Sequence, residues 1–536
     1  MSTKLNIVNT VENSAKKTIV FLVLIGLAGL SLRLIYFPYD VPLFGDSQGY
    51  FWYAIDMSIL KEFPSGHSLV NNGWPSFLSI IFQLMDSNNF LDYHNMQRFV
   101  TVAFSVATIF SVYLLCNRFF KKSYSLIGAA LIAFEPKLLQ NSLLGLPESC
   151  YVFLIATLLW LYLSNDIKKI YLSFAVAGLL TLVRYEGLLI IIPISIMFLI
   201  RFRNNKKNLK KYIICICIFI LIILPMGYIR NETMGERHDG IVSHIVAGPH
   251  YYQAAETVHG TTIGELLYLG SINFIKYIGW AQIPSFIIFV PLGIILIFKK
   301  MDYKKSTIVF TLIAMLIPAF YAYSRDLHEI KYFFALYPIF CVLACFTFRI
   351  FLEKFYRKNL IFCIIIGGII LVSVIFVEWN SIDNEHLRES YEILIDLEQK
   401  EMKINKEFGR YEGEFLYFHW LRIQNAENFP NLMKELPESK VTYTSRYEGM
   451  TAYDLDNLRD YFQFSDRQKI THLILDKYGD ARLQHELSLH LLDIFNHENK
   501  YPFLIKEYDS KENGFDYHIK LFKIDYDLYA EWINEN

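Results

Sequence analysis

The sequence predicts an α-helical polytopic membrane protein that carries a small soluble α/β domain at its C-terminal end. Three observations predict it. The apolar residues come in long unbroken blocks, in a chain of 536 residues that is 54% hydrophobic with a mean hydropathy of +0.29. Dispersed periodic apolar residues would mark a soluble protein, whereas blocks of this length mark a lipid solvent. Basic residues return in every second loop between the blocks. After Val377 the chain turns charged and contains no cysteine.

Composition narrows the function. The net charge of −1 provides no basic field for nucleic acid. Aromatics at 16% suit interfacial belts. Cys116, Cys150, Cys215, Cys217, Cys341, Cys345 and Cys363 all fall in the hydrophobic part. None has His or Cys partners at zinc spacing, so they read as core- or lipid-facing side chains.

A spanning helix needs about 20 mostly apolar residues. The expected spans are Thr18–Tyr36, Met96–Leu115, Tyr124–Phe134, Cys150–Leu163, Tyr171–Val183, Leu188–Ile200, Tyr212–Ile229, Ile283–Phe298, Thr307–Tyr323, Tyr332–Phe348 and Leu360–Val377, about eleven by the hydropathy rule. The short ones are open to a broken or re-entrant reading. Lys16 and Lys17, Arg118 to Lys122, Lys168 and Lys169, Arg201 to Lys211, Lys299 to Lys305 and Arg349 to Lys358 occupy alternate loops. The positive-inside rule then sets the N-terminus in the cytoplasm and the tail outside it. The first span runs into Arg33 and Tyr36 without a small-x-small cleavage site and reads as a signal anchor.

The expected domains are a membrane domain over 1–378, with long outer loops at 38–95 and 230–280, and a soluble domain over 379–536. The second outer loop carries Asn231-Glu232-Thr233, a glycosylation acceptor pattern that is common by chance. In the tail, Leu387–Phe408, Asp454–Phe462 and Ala481–Phe495 read as helices. Thr471–Leu475, Phe503–Glu507 and His518–Ile524 read as strands, with the turn-rich Asp509–Gly514 as a hairpin connection.

Four outer-side clusters carry chemistry. In Gly45-Asp46-Ser47 and the aromatic helix that follows, Tyr50, Tyr53, Ala54 and Met57 share one face, as on a helix lying at the interface. Asp46 reads either as an N-cap or as a general base taking a proton from an acceptor hydroxyl or amide, a role worth about 10²–10⁴ in rate. Pro147-Glu148 reads as an exposed acid beside a helix-starting proline or as a second acid for a divalent ion or a donor head group. Arg184-Tyr185-Glu186-Gly187 interrupts an apolar block. An arginine there needs a partner or a cavity, so it is either an Arg–Glu pair at a tight turn or a bidentate phosphate clamp. Arg325, Asp326, His328, Glu329 and Lys331 form a dense charge cluster abutting a span, a solvated loop or a phosphate site.

These motifs follow one another in a telling order. Gly45-Asp46-Ser47 comes after the first span, then Gly73-Trp74-Pro75, Arg98 opening the next span, Pro147-Glu148, Gly178 to Gly187, and Lys331-Tyr332-Phe333 before Pro338. That order resembles the GT-C superfamily of polytopic glycosyltransferases, in particular the protein O-mannosyltransferase and lipid A aminoarabinose transferase branch (family 39-like). The resemblance covers roughly Thr18–Phe348. It implies an inverting transferase moving a hexose or pentose from a polyprenyl (dolichyl-type) phosphate to a protein, lipid or glycan acceptor. Asp46 would be the base, Arg184, Arg325, Lys331 and Glu148 would hold the donor phosphate, and Tyr50, Tyr53 and Glu186 would line the acceptor or sugar pocket. Any divalent cation, Mg or Mn, would fall to Asp46 and Glu148. Two departures stand out: relatives often pair two acids where this chain has Asp46-Ser47, and often have Arg where it has Lys331. The competing reading is a transporter or flippase of a lipid-linked sugar, which would need charges across the bilayer and paired halves. A membrane-anchored binding module would leave Arg184 and the outer acids without a role.

Overall fold

The computed structural model describes residues 2–55, 57–58, 61, 72–87, 90–234, 263–324, 327–354, 358–380, 385–399, 457–467, 472–476 and 485–535. The chain forms two compact units. The first contains Met1–Phe37, Phe63–Ile80 and Met96–Ser381; the second contains Pro38–Glu62, Ile81–Asn95 and Ile382–Asn536.

The first unit is helical. In chain order it holds α1 (Ser2–Ile35), α3 (Gly73–Phe82), most of α4 (Phe90–Cys116), α5 (Lys122–Ala133), α6 (Pro136–Asn141), α7 (Glu148–Tyr162), α8 (Ile167–Val183) and α9 (Ile191–Phe202). It continues with α10 (Lys206–Met234), α11 (Ile263–Gln282), α12 (Phe289–Ile297), α13 (Tyr303–Ser324), α14 (Tyr337–Glu353) and α15 (Lys358–Trp379). Helix α8 packs between α7 and α10, α12 lies along α14, and α11 lies along α13. The α12–α14 contact is close enough that a Cβ on Gly293 would overlap the Leu343 carbonyl oxygen. Helix α14 is the inner element, buried without a break from Tyr337 to Phe346, while α10 and α15 present Ile, Leu and Val side chains outward. Apolar surface turned outward along whole helices is what a lipid solvent selects.

Among the described residues, seven helices are long and apolar enough to cross a membrane, and Gly73–Phe82, Lys122–Ala133 and Glu148–Tyr162 are shorter apolar helices. The expected count of about eleven spans is therefore not confirmed among the described residues. Its clearest shortfall is Ile283–Phe298: residues 283–288 are turns, and the helix is only Phe289–Ile297. Pro284 has no N–H to donate and interrupts the run. Most of the expected outer loop at 230–280 divides between α11 and residues 235–262, which lie outside the described residues. Arg33 is fully buried and donates to Ser105 Oγ at 2.8 and 3.0 Å and to the carbonyls of Gly29 and Ala133.

In the second unit the 38–62 and 81–95 segments fold together with the tail. His94 Nδ1 accepts from the Leu43 N–H at 2.8 Å, and Asn95 donates to the Tyr39 carbonyl at 2.8 Å. Helix α2 (Asp46–Ile55) is buried at every position from Ser47 to Ile55. It is therefore a core helix and not the half-wet interfacial helix its Tyr spacing suggested: Phe51, on the other face, is enclosed by Phe82 and His94.

The three expected strands and their hairpin are present; of the expected helices, residues 400–408, 454–456 and 481–484 lie outside the described residues, the second runs on to Arg467, and the last, Tyr526–Glu535, was not foreseen. Helices α16 (Glu385–Gln399), α17 (Leu458–Arg467), α18 (His485–Asn496) and α19 (Tyr526–Glu535) accompany strands β1 (His472–Asp476), β2 (Leu504–Asp509) and β3 (Ile519–Ile524). The antiparallel sheet runs β1-β3-β2, with His472 and Ile505 both opposite Lys523. Its core gathers Phe462, Leu473, Leu491, Phe503 and Phe522. Helix α16 is tied to this module by Glu389, which accepts from the Tyr517 N–H at 2.5 Å, and by Tyr508, which donates to Asp396 at 2.8 Å. Arg388 of the same helix pairs with Asp40 at 2.5 Å.

Candidate active site

Three of the four sequence clusters form two defined ionic sites in the first unit. The first is built around Arg184, the residue that ends α8 in extended backbone at φ −146° and ψ 126°. A short 3-10 helix, Tyr185–Ile190, follows it. This break returns the chain so that Glu186 faces the Arg184 side chain: Nη2 to Oε1 is 2.7 Å and Nε to Oε2 is 3.3 Å. Nη1 of Arg184 pairs with Glu148 Oε1.

Glu148 is the first residue of α7, and its place is set from α4. Gln97 donates to the Gly145 carbonyl at 2.8 Å, Arg98 Nε to the Leu143 carbonyl at 3.1 Å, and Thr101 to the Ser142 carbonyl at 2.6 Å. Gly145 sits at φ +77°, a left-handed conformation that a side chain would disfavour. The motif residue Arg98, together with Gly145, thus acts by shaping the 142–147 loop that delivers Glu148.

Arg184, Glu148 and Glu186 are 7%, 2% and 8% exposed. The guanidinium holds both carboxylates, and burial makes every charge in the cluster costly to expose or to leave unpaired. Tyr151, one turn along α7 from Glu148, lies under the guanidinium at 5.8 Å from its ring centre. Sequence reasoning missed Tyr151; the i, i+3 spacing from Glu148 was the available signal.

The second site is Lys331, in the 3-10 turn Ile330–Leu336 that leads into α14. Its Nζ lies 2.5 Å from Glu329 Oε2. The Tyr323 hydroxyl donates to the Glu329 carbonyl at 2.9 Å. Tyr277 stacks on Tyr323 with ring centres 5.0 Å apart, and His328 stacks on Tyr277 at 5.7 Å. The aromatic wall of Tyr277 and Tyr323 was not foreseen, because its rings come from two helices. Arg325 lies outside the described residues.

Asp46, Tyr50 and Tyr53 belong to the second unit. Asp46 is exposed at the first residue of α2, where the helix N-terminus favours a carboxylate. Tyr50 and Tyr53 are buried along that helix. Among the described residues no group of three His, Cys, Asp or Glu is arranged to hold a metal ion.

Comparison with known proteins agrees with this architecture. Residues 76–229 match the family model described as dolichyl-phosphate-mannose-protein mannosyltransferase. No curated protein matches the chain in a sequence search. Among solved structures, the chain is similar to ArnT from Cupriavidus metallidurans bound to undecaprenyl phosphate, with a TM-score of 0.56 at 10% identity, covering 94% of this chain and 97% of that one. It is similar to the Archaeoglobus fulgidus oligosaccharyltransferase in complex with Zn and sulfate, with a TM-score of 0.55 at 15% identity, covering 91% of this chain and 71% of that one. It is likewise similar to the same organism's oligosaccharyltransferase AglB in complex with an inhibitory peptide and a dolichol-phosphate, with a TM-score of 0.52 at 14% identity, covering 92% and 73%. The resemblance to the GT-C superfamily is thereby borne out. The chain is a multi-pass membrane protein of that fold, and mannosyltransferases and oligosaccharyltransferases are glycosyltransferases, the enzyme class its sequence implied.

Proposed function

With the GT-C fold as the premise, we propose that the protein transfers a sugar from a polyprenyl-phosphate donor to an acceptor on the non-cytoplasmic face, with inversion at the anomeric carbon. The observation that carries this reading is the fold shared over nearly the full length with a transferase-fold protein bound to undecaprenyl phosphate. The basic alternate loops support the orientation. That face has no supply of nucleotide sugars, so a membrane-borne donor suits it.

In a single displacement the acceptor oxygen or nitrogen attacks the anomeric carbon from the side opposite the phosphate. The new bond to carbon forms as the carbon–oxygen bond to phosphate breaks. The electron pair leaves on the phosphate oxygen, and the acceptor proton passes to Asp46. Lys331, with Arg325 beside it in sequence, neutralises the phosphate. Arg184 enters as the cation that holds Glu148 and Glu186 in register; to clamp phosphate itself it would have to exchange one of those carboxylates for a phosphate oxygen. Tyr50 and Tyr53 fix the helix that carries Asp46.

The test is an in vitro transfer assay with a panel of polyprenyl-phosphate sugars, comparing the wild type with Asp46→Asn. The expected result is a loss of about 10²–10⁴ in rate at equal expression and unchanged detergent stability. Full activity in the variant removes Asp46 as the base.

A further inference from the structure

Glu329 puts a carboxylate on the cation that the proposed reaction reserves for phosphate. We propose that Glu329 is a built-in competitor for Lys331, displaced when the donor phosphate binds and acting to expel the spent lipid phosphate. The inference rests on Lys331 being a phosphate cation.

The geometry divides the pair into a fixed half and a movable half. Lys331 is 16% exposed, and the turn that carries it is anchored by the buried run Phe333 to Leu336. The Glu329 side chain is 55% exposed. The Glu329 backbone is held by the Tyr323 hydroxyl, and Tyr323 is itself buried and stacked on Tyr277. Moving Glu329 off Lys331 therefore needs a rotation of the Glu329 side chain alone, toward water. Exposed ion pairs of this kind are weak, so the carboxylate can be displaced by an arriving anion without a large barrier.

Once displaced, Glu329 still stands one side chain away from the bound phosphate. Its repulsion then depends on the charge of what is bound. A one-phosphate donor is a phosphodiester with a single negative charge. The lipid phosphate left after transfer is a monoester carrying up to two. Coulomb energy scales with charge, so the same carboxylate acts about twice as strongly, in free energy, on the product as on the donor. If it weakens the diester by about 3-fold, within the range of an exposed pair, it weakens the monoester by about 10-fold. The contact then costs little donor affinity and lessens product inhibition.

The experiment measures binding of farnesyl phosphate and farnesyl methyl phosphate to the full-length protein in detergent, for the wild type, Glu329→Gln, Lys331→Ala and the double variant. The expected result is that Glu329→Gln tightens farnesyl phosphate by about 10-fold and the methyl diester by about 3-fold, and that both gains vanish on the Lys331→Ala background. Equal gains for the two probes, no gain, or a gain that survives loss of Lys331 overturns the role of Glu329. If Lys331→Ala by itself leaves both probes unaffected, the reading of Lys331 falls, and this inference falls with it.

Discussion

The two ionic sites of the membrane unit use the same chemistry in opposite surroundings. Around Arg184, one guanidinium is closed between two carboxylates, and all three side chains are nearly sealed from solvent. At Lys331, one ammonium meets one carboxylate that is more than half exposed. The desolvated group cannot exchange partners cheaply, because each charge it released would stand unpaired in a poor dielectric. The solvated pair can. The difference assigns rigidity to the first site and exchange to the second.

The contrast predicts unequal damage. Arg184→Ala strands Glu148 and Glu186 together, and breaking a buried pair by removing one partner typically costs about 3–5 kcal/mol. The expected outcome is a large fall in thermal stability in detergent, seen as early loss of the monodisperse peak on size-exclusion chromatography. Arg184→Ala combined with Glu148→Gln and Glu186→Gln removes the stranded charges and is expected to recover most of that loss. If the single and triple variants melt together, the carboxylates do not depend on the arginine, and the rigid half of the comparison breaks.

Lys331→Ala is expected to change stability by less than about 1 kcal/mol, because the Glu329 carboxylate it leaves behind is more than half exposed and stays hydrated. Its effect should be on lipid-phosphate affinity, and that affinity should fall with ionic strength, since screening over about 8–10 Å acts at moderate salt on exposed charges. The stability contributed at Arg184 should hardly respond to the same salt. A titration in NaCl reading both melting and farnesyl phosphate binding separates the two behaviours. Equal salt sensitivity would erase the distinction.

Much of this was legible in the sequence, and what was not has a common cause. Long apolar blocks announced α1, α4, α13 and α15, and period-2 runs announced β1 to β3 within a residue or two. Arg184 and Glu186 announced themselves by breaking an apolar block. The partners were harder. That Glu148 rather than a phosphate meets Arg184 depends on a contact across 36 positions, which no local pattern encodes. The same holds for Lys137, one helix earlier, whose Nζ lies 4.9 Å from the Trp280 ring centre and 4.7 Å from that of Phe376. The full burial of α2 was hidden because its second face is covered by Phe82 and His94, residues that sequence spacing does not connect to it. Ile283–Phe298 failed as a span because hydropathy counts Pro284 as a mild residue, whereas the helix ladder counts it as a missing donor.

A third ionic site, in the tail, extends the comparison to its solvated limit and gives the smallest expected effect. Asp493 accepts from the Tyr501 hydroxyl at 2.7 Å, contacts His497 Nδ1 at 2.7 Å and meets Lys500 Nζ at 3.1 Å. The Tyr501 hydrogen bond, followed by Lys500 and His497, holds its carboxyl down at about 2, below the ordinary 3.8. A depressed carboxylate stabilises the fold in its ionised form. Its contribution is therefore complete above pH 3.8, shrinks as acid is added, and is gone once the pH has fallen through about 2. Asp493→Asn should accordingly lower tail stability at neutral pH by a small amount, with the difference from wild type closing between those two values. Far-UV circular dichroism of the full-length protein through an acid titration reads it. A gap between variant and wild type that persists unchanged below pH 2 would mean that Asp493 acts by shape and not by charge, and the gradation from sealed to solvated ion pairs would then stop at Lys331.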